Sequence, residues 1–138
     1  MSCHVCDAVV GAEDRVVYDD RVWRAFQVAD VPGWVMLAPT EHVEGAWSLT
    51  DEQAARFGGA LRGVSAAVKR VTSADRVYCV YLGETAKHFH VGLFPLQPGD
   101  EPLFDNTRIV EASALGDADR ARSVRDAIRA RAGGPPSY

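Results

Sequence analysis

The sequence predicts an α+β fold: a five-stranded, mostly antiparallel sheet with one long helix on a face and a second helix near the C-terminus. Three observations point to it. Short runs rich in β-branched and aromatic residues, at 15–18, 22–28, 33–38, 76–82 and 88–94, read as strands. Ala54, Phe57, Leu61, Val64, Val68 and Val71 recur at spacings of three and four, the stripe of a long helix. Residues 118–132 read as a second helix, with Ala121, Val124 and Ile128 on one face. Three strands, a helix and two more strands, in that order, favour a mostly antiparallel sheet with the helix on one face.

Asp19-Asp20-Arg21 joins the first two strands and is short and polar, as a hairpin turn would be. The run 33–38 is nearly continuous in apolar residues between Pro32 and Pro39, the pattern of a central strand covered on both faces. The long helix opens on Thr50-Asp51-Glu52-Gln53, a capping box with Thr50 as N-cap and Gln53 three residues on. Gly58, Gly59 and Gly63 inside it weaken its propensity by up to about 1 kcal/mol each, and are expected to allow close packing on the sheet. Residues 97–106, with Pro98-Gly99-Asp100 and Pro102, form a loop. In the last helix Arg122, Arg125 and Arg129 share the face away from the apolar stripe and are expected to be solvated. Gly133-Gly134-Pro135-Pro136 ends it, so 1–132 is expected to be a single domain and 133–138 a disordered tail.

The 138 residues are 47% apolar and 25% charged, which suits one globular domain and excludes fibrous and disordered classes. A formal net charge of −4 gives no reason to expect nucleic acid or an anionic membrane as partner. No apolar run approaches the roughly 20 residues of a membrane span. Met1-Ser2-Cys3-His4 lacks the basic and apolar regions of a secretory signal, so a cytoplasmic protein is expected. An odd count of three cysteines argues against a disulfide framework.

The chemistry-bearing residues are few. His88 and His90 alternate with apolar residues, so on a strand His88, His90, Gly92 and Phe94 share one face, and Phe89, Val91 and Leu93 point into the core. Either the pair binds a metal or one member is chemically active; the plainer alternative is two surface imidazoles. Cys3-x-x-Cys6 is a redox pair, half of a metal site, or chance. A tetrahedral zinc site needs two further ligands. His42, just after the third strand, and His88 are available, which makes structural Cys2His2 zinc the favoured reading. His4, between the cysteines, is expected to point away from such a metal. Cys79 reads as a buried apolar filler.

The stretch Gly83-Glu84-Thr85-Ala86-Lys87-His88-Phe89-His90-Val91-Gly92-Leu93-Phe94-Pro95 resembles the signature of the histidine-triad superfamily. Cys3-x-x-Cys6 is similar to the zinc half-site of its bacterial members, Val17-Tyr18-Asp19-Asp20 and Ala25-Phe26 to its opening hairpin, and Pro32-Gly33-Trp34-Val35-Met36-Leu37-Ala38-Pro39 with His42 to its third-strand segment. The resemblance spans nearly the whole chain up to the last helix. It implies a histidine-triad-like sheet paired with a second subunit as a homodimer, with a nucleotide bound beside the histidine strand. It also implies a zinc ion held by Cys3, Cys6, His42 and His88, and His90 as the nucleophile that attacks the α-phosphorus of a nucleoside phosphate derivative. Thr85 matches the residue near the leaving group. Lys87 is expected to be a solvated side chain at least as much as a contact to the phosphate.

The pattern also breaks. The third triad position is Gly92, which removes a donor and is expected to open a gap beside His90. Glu84 replaces a glutamine and is expected either to act as an acid on the leaving group or to turn aside. Val28 stands where an acidic residue would contact ribose, with Asp30 a candidate substitute. Trp34 replaces a histidine, and Tyr81 stands near the phosphates in place of an asparagine. Phe26, Asp30, Gly92 and Tyr81 are thus the expected nucleotide contacts. The leading expectation is a nucleotidyl hydrolase or transferase acting through His90. The alternatives are a catalytically weak nucleotide-binding module and a biosynthetic enzyme with a repurposed pocket.

Overall fold

The polar residues between the first two strands build their own turn. The Asp19 carboxylate accepts the amide of Arg21, and the Asp20 carboxylate accepts the amides of Val22 and Trp23. Arg21 takes the left-handed conformation, φ 75°, at the reversal. This computed structural model describes residues 3–11, 13–84, 86–100, 111–112, 114 and 116–132. Its strands are β1 Val16–Asp19, β2 Trp23–Gln27, β3 Val35–Pro39, β4 Arg76–Val80 and β5 Val91–Leu96. Every neighbouring pair is antiparallel, in the order β1-β2-β3-β5-β4, the five-stranded α+β arrangement that the pattern predicts.

Among the described residues, the helices packed with the sheet are α1 His4–Gly11, α2 Asp51–Thr72 and α3 Ala118–Ala132. The inner face of the sheet (Trp23, Ala25, Val35, Leu37, Val91, Leu93) packs with Ala60, Val64, Ala67 and Val68 of α2 and Ile128 of α3 into one core. The Thr50 capping box is complete in both directions. Gly58, Gly59 and Gly63 are exposed with open space where a Cβ would sit, so they do not bring α2 closer to the sheet as expected. On α3 the arginine stripe is only partly solvated. Arg122 is exposed, but Arg125 is largely buried, and Arg129 donates to the carbonyls of Val16 and Asp14, which ties α3 to β1.

Strand ends differ from the pattern near the histidines. β4 stops at Val80, and β5 begins only at Val91, because the amide of Phe89 donates to the carbonyl of Val43 instead of joining a ladder. β5 then continues through Pro95. Beyond the Val35–Leu93 pair it has β4 alone as neighbour, an edge-like setting in which proline is tolerated.

Helix α1 is not anticipated by the strand-centred reading. Its Val5 and Val9, one turn apart, cover the outer face of the sheet over Phe26 and Ala38, with Val28, Met36 and Ala86 at the margin. Cys79 is exposed on β4, contrary to the expected core role, because β4 is the sheet's outermost strand. Among the described residues no helix is long and apolar enough to cross a membrane. The expected tail 133–138 lies outside the described residues.

Candidate functional site

At the zinc-expected end of the sheet, Cys3, Cys6, His42 and His88 converge, their ligand atoms all within 4.8 Å of one another. Each arrives on a different logic. Cys3 precedes α1, and its sulfur accepts the amide of Cys6 at 3.5 Å. Cys6 lies in the first turn of α1, His42 follows β3, and His88 precedes β5. Cys6 Sγ lies 3.2 Å from His88 Nδ1 and 3.3 Å from His42 Nδ1, and Cys3 Sγ lies 3.8 Å from His88 Nδ1. Zinc–sulfur and zinc–nitrogen bonds of ordinary length set tetrahedral edges of about 3.4–3.8 Å; the three separations above lie within about 0.2 Å of that range, so two thiols and two imidazoles here suit zinc in kind and approximate spacing.

The buried side of the cluster supports the same fit. His88 is fully buried, and its Nε2–H donates to the carbonyl of Pro39 at 2.9 Å, which leaves the Nδ1 lone pair aimed at the sulfurs. Two thiolates would balance a divalent ion, and four protein ligands leave no open position for a reacting water. His4, exposed on α1, stays outside the cluster. Burial raises the pKa of the Cys6 thiol, with Cys3 and Asp7 adding to the effect, so metal binding must displace its proton.

Burial lowers the pKa of His88 below its ordinary 6.5, outweighing the opposing hydrogen bond to Pro39, and His42 and His90 lower it further. The fold therefore prefers neutral His88, while the unfolded chain takes up the proton first. Stability held above pH 6.5 is lost as pH falls toward the lowered value. Chelator-treated protein should accordingly show a lower urea midpoint at pH 5.5 than at pH 7.5; equal midpoints would contradict a neutral buried His88.

Two residues on, His90 is half-buried and its ring is fixed differently. Its Nδ1–H donates to the carbonyl of His88 at 2.7 Å, so Nε2 carries the free lone pair. Tyr81 stands edge-on to this imidazole, ring centroids 5.7 Å apart, and its hydroxyl donates to the carbonyl of Glu44. Tyr81 is thus a side wall of the histidine. Glu84 is exposed, and Thr85 lies outside the described residues.

Gly92 does not open the expected gap. A Cβ at this position would lie 2.5 Å from Cζ and 2.8 Å from Cε2 of Phe94, so the Phe94 ring already fills the space. That ring packs on Trp34 with centroids 4.4 Å apart, and both are nearly buried. Gly92→Ala should therefore destabilise the fold by about 1–3 kcal/mol. Adding Phe94→Ala should make the combined cost smaller than the sum of the two single costs, which denaturant titration of the double-mutant cycle would read.

The other expected nucleotide contacts are scattered in exposure. Phe26 is buried beneath α1. Asp30 is exposed and pairs with Arg15 at 3.4 Å, while its carbonyl accepts the amide of Asp117. A cavity of about 630 Å³ lies at the opposite end of the sheet, lined among others by Trp34, Val71, Pro95, Arg120 and Val124.

Compared with known proteins, no family model and no curated protein matches the chain. Solved structures do. A HIT-like protein of Bartonella henselae, described as involved in cell-cycle regulation, superposes with TM-score 0.72 at 17% identity over 94% of this chain and 96% of its own. A zinc-bound histidine triad family protein from Mycobacterium smegmatis gives TM-score 0.72 at 21% identity over 95% and 93%. The fold is that of the histidine-triad proteins. A uridylyltransferase also matches, with TM-score 0.66 at 25% identity over 94% of this chain but 45% of its own length.

Within the histidine-triad fold, the four metal-ligand candidates and His90 occupy one end of the sheet. What sequence reasoning missed is the covering of the outer face. The Val5/Val9 spacing was a visible signal for α1, and Phe94 two residues after Gly92, on the same strand face, was one for the ring over the glycine.

Proposed function

We propose that this chain is a zinc-bearing histidine-triad protein that binds a nucleoside phosphate derivative and cleaves or transfers its nucleotidyl group through His90. The observation that carries the reading is the His90 tautomer. With Nδ1–H held by the His88 carbonyl, Nε2 is a free nucleophile on the fold that the zinc-bound and transferase neighbours share.

In this reading Nε2 attacks the α-phosphorus, the bond from phosphorus to the leaving group breaks, and that group leaves with the electron pair and takes a proton. Water or another acceptor then attacks the phosphorus, its proton departs, and the N–P bond breaks to restore His90. Thr85 and Glu84 are assigned to the leaving-group side, and Phe26, Asp30, Gly92 and Tyr81 to the nucleotide. Zinc ties the start of α1 to β3 and the histidine segment, and supplies rigidity rather than a reacting water.

Residues 1–132 act as one domain, and β4, one of the two edge strands among those described with β1, is the edge to which we assign a homodimer contact. Light scattering that gives twice the chain mass would support this, and a monomer at high concentration would count against it. The reaction is tested by mixing the protein with an adenosine phosphoramidate, an adenylate or a dinucleoside polyphosphate, quenching, and seeking a nucleotidyl adduct on His90 by mass spectrometry. Phe94 in place of a third imidazole favours a second reading, nucleotide binding with little turnover. Affinity without any adduct or product would select it.

A further inference from the structure

His90 lies just outside the ladder that holds β5. The nearest pairs are Leu37–Val91 toward β3 and Val80–Gly92 toward β4, so none of the described pairs includes residue 90. Two consecutive carbonyls hold this stretch instead. That of Val43 accepts the amide of Phe89 at 2.7 Å, and that of Glu44 accepts the hydroxyl of Tyr81 at 3.1 Å. One short segment thus anchors both the residue before His90 and the ring beside it. Tyr81 is confined from other sides as well. Its ring meets that of the buried Phe89 with centroids 4.9 Å apart. Its hydroxyl end lies against Gly83, where a Cβ would sit 2.7 Å from the Tyr81 oxygen and 2.9 Å from Cζ. Gly83 takes φ 69°, a conformation open to glycine at no steric cost. The ring so held stands at 88° to the His90 imidazole, 5.7 Å between centroids.

The orientation of that imidazole decides its chemistry. Nε2 is free only while Nδ1–H stays on the His88 carbonyl. A half-turn about Cβ–Cγ breaks this bond and takes the free nitrogen elsewhere. One hydrogen bond at a half-buried site is a modest restraint, and a perpendicular aromatic neighbour adds a second. We propose that Tyr81 is a positioning residue for His90. Its ring keeps the imidazole in the orientation that leaves Nε2 free, and its hydroxyl holds that ring to Glu44 instead of serving a ligand. The inference rests on the reading of His90 as nucleophile, and not on which group that nucleophile attacks.

The test reads the imidazole directly. Nitrogen-15 spectra of the histidine side chains, taken on ligand-free protein in mildly alkaline buffer, show which ring nitrogen carries the proton. The parent chain should have His90 protonated at Nδ1. Tyr81→Leu, which keeps apolar bulk but removes the ring, should give a mixture of the two neutral forms. Tyr81→Phe, which keeps the ring and loses only the tether to Glu44, should restore most of the Nδ1 form. Gly83→Ala, which presses on the ring from its hydroxyl end, should move the same signals in the direction of Tyr81→Leu, and serves if that variant does not fold. With an adenosine phosphoramidate, Tyr81→Leu should lower kcat about tenfold and leave KM within about twofold. A Tyr81→Leu chain that melts earlier but keeps the Nδ1 form and its kcat has lost only packing, and overturns the proposal. A raised KM with the Nδ1 form unmoved assigns Tyr81 to the ligand, and overturns it too. The predicted spectra without turnover would support the positioning role and count against the nucleotidyl substrate. A parent chain protonated at Nε2 would overturn His90 as nucleophile, and this inference with it.

Discussion

Cys3→Ser combined with Cys6→Ser should abolish zinc binding and lower the stability of the chain by about 4 kcal/mol, the linkage expected for a ligand present at a thousandfold its dissociation constant. In a domain of 138 residues this is on the order of 10–15 °C in melting midpoint. The size of the effect follows from what the cluster joins. Cys3 and Cys6 open α1, His42 follows β3 and His88 precedes β5, so the ligands tie segments that are distant in the chain. Release of α1 would also uncover Phe26 and Ala38, which it shields through Val5 and Val9. Metal analysis of the untreated protein should give about one zinc per chain, and a chelator should reproduce the midpoint loss of the double variant. Metal-free protein that melts at the same temperature with or without added zinc would refute the site.

His90→Ala should reduce nucleotidyl cleavage or transfer by about three orders of magnitude or more, because it removes the nucleophile itself rather than a supporting group. The variant should keep its fold. His90 is half-buried outside the principal core, and its hydrogen bond to the His88 carbonyl is local. Zinc content should stay unchanged, since His90 is not in the ligand cluster. The comparison is made with a phosphoramidate, an adenylate and a dinucleoside polyphosphate, measuring product and midpoint together. Equal product from His90→Ala and the parent chain would eliminate His90 as nucleophile. Lost product with an unchanged midpoint isolates a chemical role from a structural one.

The two experiments separate the two halves of the site. Zinc should govern stability far more than the first chemical step, because four protein ligands close its coordination. His90 should govern chemistry far more than stability. A double cysteine variant that lost zinc, stayed folded and kept full turnover would confirm that division.

The sequence by itself determined the architecture and the four side chains that come together as a candidate metal site. Alternation of apolar residues over two-residue steps and recurrence over three and four mark the strands and α2, because each element must bury one face. Thr50 and Gln53 mark where α2 starts, because their side chains satisfy amides that the helix leaves free. Cys3, Cys6, His42 and His88 were legible as one set because zinc accepts few ligand types in one geometry. Tertiary structure decided what lies over the outer face and what each side chain meets across the chain. The exposure of Cys79 depended on β4 being an edge, which no local pattern states. The free nitrogen of each histidine depended on which carbonyl its other nitrogen meets, Pro39 for His88 and His88 for His90. The space beside Gly92 depended on a ring that returns from Phe94 and on Trp34 across the strand pair. Contacts between residues far apart in sequence carry no periodic signal, so only the packed fold could decide them.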